Sequence, residues 1–328
     1  MMYFVPSWYH GNEYKENEQY WYRRRTVTEF DDSVKQVQMF NRNNIMDYKI
    51  LNLSYCPNFR HFLHRQSVFH APYWSCFDAI QEIKRTKVDI LSYRDLMWPD
   101  HTEFVYTPFC IVAYVNNEKY AEIHFGEDGN MIEVFLFQSE IMVRKNVYDD
   151  RGFLSTTIVY ENNQPIYEQY LDEKGNWKLL HFFEDDHIEI NSENPYYLIG
   201  NKRFTFQSLN YDSMESLIEE VFSTYLDEMT DSTDIFCLAM HTLHHDLLES
   251  LFTQRKTILS FYQNRMELFE DAELKSLIRS TNYCIVDSKH KIRPLEKYAG
   301  KTLPIVDITP FDTRADFGIS QQLTVQKA

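Results

Sequence analysis

The side chains best suited to acid–base or metal chemistry gather in one short run, His241-Thr242-Leu243-His244-His245-Asp246. An apolar segment ending at Met240 precedes it and an amphipathic one follows, so it falls on a strand-to-helix turn, where open α/β sheets hold ligands. On a helix, His241 shares a face with His244 or His245, and histidines so spaced can hold a metal or an anion. The glutamate of H-E-x-x-H and a third ligand are missing. No metal is therefore expected, and His241, His244 and His245 read as a helix start or the lining of a shallow pocket. The pairs Asp149-Asp150 and Asp185-Asp186 sit in turn sequences, where solvation explains them. Glu219, Glu220, Asp227 and Glu228 read as an exposed helix face.

Other signatures fail. The sequence has no G-x-G-x-x-G, no G-x-x-x-x-G-K-[ST], no G-x-S-x-G and no Asp-x-Asp. Its close glycine pair, Gly126 and Gly129, belongs to a hairpin rather than to a phosphate-binding turn. No catalytic residue and no cofactor are expected.

Two kinds of element must position these residues. From Tyr120 to Ile190 the pattern is antiparallel strand and turn: Gly129, Gly152 and Gly175 stand at equal intervals of 23 residues, with further breaks near Ser139 and at Asn162-Asn163-Gln164-Pro165. Each interval holds two strands and two tight turns, a repeated β-meander. Strand bodies at Met131 to Phe137, Phe153 to Tyr160, Ile166 to Leu171 and Trp177 to Phe183 are rich in β-branched and aromatic residues. On both flanks strand and helix alternate. The first flank reads as a strand at Tyr3-Phe4-Val5, a helix from Asp31 or Asp32 to about Asn43, and a strand from Tyr48 to Leu53. A helix from Pro57 to about Arg65, a helix from Trp74 to Lys84 and a strand from Val88 to Tyr93 follow. The second reads as helices at Ser213 to Glu228, Thr242 to Gln254, Asp271 to Arg279 and Lys289 to Tyr298. Each leads or follows a strand, at Asp234 to Met240, Thr257 to Tyr262, Tyr283 to Val286 and Pro304 to Ile308. Short apolar runs between amphipathic helices indicate a parallel sheet covered on both faces. The expected architecture is a split, doubly wound Rossmann-like α/β domain of residues 1–115 and 205–310, interrupted by an antiparallel β-sheet domain of residues 116–204.

Composition limits the function classes. The 328 residues are 44% hydrophobic and 25% charged, and the formal net charge is −16. So negative a chain opposes general nucleic-acid binding, which needs a positive field. Five cysteines without C-x-x-C spacing suggest a reducing cytoplasm rather than a disulfide framework, and no run is long and apolar enough to span a membrane. The segment from Ser7 to Thr28 is unusual: Trp8, Tyr9, Trp21 and Tyr22 lead into Arg23, Arg24 and Arg25. Aromatic and basic residues together suit a partner surface, a sugar platform or an anionic membrane. The alternative is that the rings pack the loop onto its own domain while the arginines are solvated.

Both termini carry a resemblance. Phe4-x-Pro6-x-Trp8-Tyr9, Trp21-Tyr22-Arg23 and Phe30-Asp31-Asp32-Ser33-Val34-x-Gln36-x-x-Met39-Phe40 resemble the opening of the first of the three accessory secretory proteins of the accessory Sec system. Thr309-Pro310-Phe311-Asp312-Thr313-Arg314, followed by Gly318-x-Ser320-Gln321, is similar to a later block of that family. The resemblance implies the first half of a glycosyltransferase-B-like fold without transferase activity. It implies as partners the second and third accessory secretory proteins, a dedicated accessory SecA motor and serine-rich-repeat glycoprotein adhesins, at the cytoplasmic face of the membrane. The family carries a second Rossmann-like half, so residues 311–328 read as its start. Because that half holds the donor nucleotide in such folds, this chain is not expected to transfer sugar.

Overall fold

The computed structural model describes residues 1–9, 13–15, 31–45, 47–262 and 274–308, with His244 placed by its backbone only. The first flank comprises β1 (Met2–Val5), α1 (Asp32–Arg42), β2 (Tyr48–Asn52), α2 (Phe59–Arg65), β3 (Tyr73–Ser75) and α3 (Cys76–Ile80). Ten strands then run antiparallel: β4 (Glu103–Tyr106), β5 (Ile111–Val115), β6 (Glu118–Phe125), β7 (Met131–Gln138), β8 (Ile141–Asp149), β9 (Phe153–Glu161), β10 (Gln164–Leu171), β11 (Trp177–Phe182), β12 (Ile188–Ile190) and, after the separate hairpin of β13 (Tyr196–Ile199) and β14 (Lys202–Thr205), β15 (Asn210–Tyr211). The second flank comprises α4 (Met214–Met229), β16 (Ile235–Ala239), α5 (His245–Phe252), β17 (Lys256–Phe261), α6 (Leu274–Ser280), β18 (Tyr283–Val286), α7 (Ile292–Ala299) and β19 (Ile305–Asp307).

The flanks build one parallel sheet in the order β19-β18-β17-β16-β1-β2-β3. The winding runs outward in opposite directions from β1 and β16, so the switch point lies between them. Their registers align Phe4 with Cys237 and Val5 with Leu238. On one face α1 and α2 close a core around Phe4, Tyr48, Phe62 and Val37. On the other, α3 to α7 close a larger core around Leu238, Phe222 and Leu259. That core runs without a break into the inserted sheet through Tyr170, Leu179 and Ile188. A third, smaller core around Ala113, Ile123 and Val134 lies under Leu91, Leu96 and Trp98.

Several expected elements change under tertiary contact. Val88 to Tyr93 forms no strand; the only regular piece nearby is a 3-10 turn at Tyr93–Asp95. The segment instead lies over the inserted sheet, with the Asp89 N–H donating to the Arg151 carbonyl at 3.1 Å. The helix expected from Trp74 to Lys84 shrinks to Cys76–Ile80, capped by the Ser75 hydroxyl, and Trp74 joins β3. It stops because its end is recruited elsewhere. Gln81 donates to the carbonyls of Leu171 at 2.6 Å and Ser155 at 3.0 Å, while Glu82 turns to positive φ and meets Lys178 at 2.8 Å. Glu103 to Val115, assigned from sequence to the α/β part, forms the first two strands of the antiparallel sheet. The start of the helix expected at Asp271 and the block from Thr309 to Gln321 lie outside the described residues.

The 23-residue spacing becomes geometry. One end of the hairpins turns at Gly129, Gly152 and Gly175; the other turns at Asn116-Asn117, Ser139-Glu140 and Asn162-Asn163, each pair with both φ angles positive. The glycine end faces the α/β domain. There Asp150 N–H donates to the Pro57 carbonyl at 2.9 Å, the Asp150 carboxylate accepts from the His61 N–H at 2.9 Å, and Arg85 N–H donates to Glu173 at 3.0 Å.

Candidate functional site

The loops that leave β1 and β16 meet at the switch point. After β16 the chain buries Met240, and His241 adopts an extended backbone from which its Nδ1 accepts the Leu243 N–H at 3.1 Å, capping a 3-10 turn that leads into α5. From the β1 side, Tyr9 sets its ring edge-on to His241 at 5.0 Å and to Tyr14 at 5.4 Å. The Tyr14 hydroxyl donates to the Leu243 carbonyl at 2.8 Å. Burial pushes the Tyr9 hydroxyl far above its usual range, with Cys76 and Glu215 adding to it, so Tyr9 stays neutral.

Tyr14 and Lys15 also tie this junction to the inserted sheet. Tyr55 N–H donates to the Tyr14 carbonyl at 2.7 Å, and Lys15 pairs with Tyr55 in an isolated parallel bridge. Lys15 Nζ then reaches Glu168 at 2.5 Å, on a strand whose carboxylate is almost fully buried. Burial acts to raise the Glu168 carboxyl, but the Lys15 charge and hydrogen bond outweigh it and hold it below the usual range. Tyr170 donates to the same carboxylate at 3.3 Å.

Between these groups opens a cleft of about 290 Å³, walled by Tyr14, Phe77, Tyr170 and Phe183 and floored toward the start of α4. Its polar lining is mostly acceptor: Glu13, Glu215 and Asp186, the last at 2.6 Å from His181 Nε2. The one lysine in the lining is held by Glu168 and lies 5.7 Å from the Phe183 ring. Burial raises the Glu215 carboxyl, helped by Asp246 and Glu219, in the first turn of α4 where an anionic ligand would otherwise find N–H donors. The cleft therefore disfavours a phosphate and suits uncharged polar groups carried on an apolar face, which rings and carboxylates can hold together.

The residues singled out from sequence divide. Tyr9 and His241 come together in the switch-point junction. His245 is buried as the first residue of α5 and lies outside the cleft lining. Trp8 is not a surface anchor: its ring packs with Phe62 at 4.8 Å and Phe59 at 6.2 Å, and its indole N–H donates to Asp31 at 3.1 Å. The rule that an indole buries its ring when its N–H finds a partner overrides the aromatic-plus-basic pattern. Trp21, Tyr22, Arg23, Arg24 and Arg25 lie outside the described residues. Asp149 and Asp150 are not solvated turn residues, since Asp149 is 5% exposed and Asp150 lies against α2. Lys15 and Glu168 were missed because their meeting spans 153 residues and no local pattern encodes it. Among the described residues, no group of three or more His, Cys, Asp or Glu side chains is placed to hold a metal ion, and no helix is long and apolar enough to cross a membrane.

Comparison with known proteins bears on the whole chain. The family model described as accessory Sec system protein 1, the first of the accessory secretory proteins, matches residues 1–327. Curated proteins of that description from Streptococcus gordonii and Staphylococcus aureus are 31% and 30% identical, each over 98% of this chain. The chain spans 61% and 62% of their respective lengths. Among solved structures, the complex of accessory secretory proteins 1, 2 and 3 from Streptococcus pneumoniae contains a chain that superposes with a TM-score of 0.86 at 29% identity, over 98% of this chain and 64% of that one. A chain of the Gap123 glycosylation-associated complex from Streptococcus agalactiae matches with a TM-score of 0.85 at 32% identity, over 98% of this chain and 63% of that one. The pneumococcal O-GlcNAc transferase GtfA shares the fold alone, with a TM-score of 0.63 at 11% identity, covering 94% of this chain and 60% of that one. The architecture is thus glycosyltransferase-B-like: a parallel α/β layer with an antiparallel sheet inserted into it.

Proposed function

The chain belongs to the family of accessory Sec system protein 1, and from that premise we propose that it is a non-enzymatic part of the accessory Sec export machinery. In this reading it works with the second and third accessory secretory proteins and the accessory SecA motor to deliver serine-rich-repeat glycoprotein adhesins to the cytoplasmic face of the membrane. The match of residues 1–327 to one family carries the reading. The solved three-protein complexes that hold its relatives support partnership with the other accessory proteins. A cleft whose lysine is neutralised and whose remaining charged groups are mainly acceptors supports contact with hydroxyl-rich cargo over use of a nucleotide sugar.

Co-expression of the full chain with the other two accessory secretory proteins tests it. A stable complex is expected, with no turnover of UDP-sugars. Failure to co-purify would overturn the export role, and UDP-sugar turnover abolished by substitutions in the cleft would make it an enzyme instead. Contact with an anionic membrane is proposed for Trp21, Tyr22, Arg23, Arg24 and Arg25. Liposome flotation that survives replacing all five removes that contact.

A further inference from the structure

A second cavity, of about 590 Å³, lies at the joint where the hairpins of Gly129 and Gly152 meet α2 and the segment from Val88 to Tyr93. It is separate from the switch-point cleft and shares no lining residue with it. Its charges do not balance. Asp78, Asp149 and Asp150 surround one cation, Arg151, and the guanidinium is used up by two of them. It forks onto Asp78 at 2.7 and 2.8 Å and onto Asp149 at 2.7 Å through both Nε and an Nη. Asp150 is left with the His61 backbone N–H as donor and makes no ion pair among the described residues.

The other groups facing the cavity make no ion pair with Asp150, which Arg151 and Arg60 attract only through space. On α2, His61 turns its Nδ1 to Asp128 at 3.0 Å, and His64 lies against the Phe69 ring at 5.9 Å. Arg60, also on α2, holds its guanidinium 5.4 Å over Phe69, at the mouth. Asp89, on the facing segment, is paired with Arg85 at 3.3 Å. Of the four aspartates in the lining, Asp89 pairs with Arg85, Asp149 with Arg151 and Asp128 with His61, which leaves Asp150. The rim is apolar and open, with Phe69 41%, Val88 39% and Ile90 93% exposed. An apolar rim beside a half-buried carboxylate that makes no ion pair offers a partner both contact area and an uncompensated charge.

We propose that this joint cavity receives a lysine or arginine side chain of a partner accessory secretory protein, presented between apolar residues that cover Phe69, Val88 and Ile90. Charge complementarity selects the occupant: a basic head pairs with Asp150 while its aliphatic stem and neighbours bury the rim. The proposal rests on the reading of the chain as one member of a multi-protein complex, and it assigns one contact within that complex.

The test uses the full chain co-expressed with the second and third accessory secretory proteins, carrying a photo-crosslinking benzophenone amino acid in place of Ile90. Irradiation is expected to join the chain to one partner, at a peptide containing Lys or Arg. The Asp150→Asn form, which keeps an acceptor for the His61 N–H, is expected to lose about tenfold in crosslink yield, the scale of one partly desolvated charge pair. Its thermal midpoint is expected to stay at or above that of the parent, which separates lost binding from lost folding. An intact complex whose crosslink is absent, insensitive to Asp150→Asn or confined to a peptide without Lys or Arg overturns this inference alone. A complex that does not form at all overturns both it and the export reading.

Discussion

The two ends of the hairpins in the inserted sheet solve the same problem with different residues. At the end facing the α/β domain the turns use glycine, and at Gly152 an added Cβ would stand 1.7 Å from the Asp89 carbonyl oxygen. At the free end the same reversal is made by Asn116-Asn117, Ser139-Glu140 and Asn162-Asn163, exposed and with positive φ throughout. Both ends need the left-handed region; at the docked end Gly152 also needs the absence of a side chain, whereas Gly129 and Gly175 meet nothing within 4 Å. Where backbone lies on backbone, glycine is required by contact. Where water surrounds the turn, local conformational preference is enough, and asparagine tolerates it well.

The contrast can be broken from the docked end first. Arg151→Ala strands the buried Asp149 and the half-buried Asp78, and the expected loss is about 3–5 kcal/mol, read as a fall in the midpoint of chemical denaturation. Gly152→Ala should follow, at about 3 kcal/mol or more, because both the positive φ and the Asp89 contact oppose it. Gly175→Ala, which meets nothing within 4 Å, should lose only about 1 kcal/mol from its φ. Equal losses at the two glycines would remove the distinction between a turn held in backbone contact and one shaped by φ alone.

Asp150 makes the joint sensitive to pH. Burial first, and then the charge of Asp149, push its carboxyl up to about 7 from 3.8. Because the folded state binds this proton more tightly than the unfolded chain, its contribution is full at low pH and is lost as pH rises through 7. The parent's thermal midpoint should therefore fall more steeply between pH 5 and pH 8 than that of Asp150→Asn. A parallel pair of curves would show the carboxyl to be ordinary. The smallest effect belongs to the free end: Glu140→Gly should be neutral or stabilise by about 0.5 kcal/mol, relief of left-handed strain slightly exceeding the added chain entropy.

Much of the framework is legible in local pattern. The apolar runs at Ile235–Ala239, Lys256–Phe261 and Tyr283–Val286 lie within a residue or two of where periodicity puts them, because each is buried on both faces of a parallel sheet. The meander is readable for a different reason: its turns demand particular residues, and the demand recurs every second strand. Reading failed where one segment answers to another far away. Val88 to Tyr93 has strand composition but spends its backbone on Arg151, and Trp74 to Lys84 has helical composition but gives Gln81 and Glu82 to the inserted sheet. Asp149-Asp150 looks like any solvated turn until the α/β domain is laid against it.

From sequence alone, then, come the elements, the interruption of one fold by another and the membership implied by the terminal blocks. Those are properties of short windows, where burial and φ preference act on neighbours in the chain. Tertiary structure alone decided that Trp8 is core, that Lys15 pairs with Glu168, and that Asp78 and Asp149 share one arginine at the joint while Asp150 has none. Each of these depends on which charges and rings are brought within about 4 Å of one another, a distance at which Coulomb and packing energies become large. Chain separation sets no limit on that distance, so no window of sequence contains it.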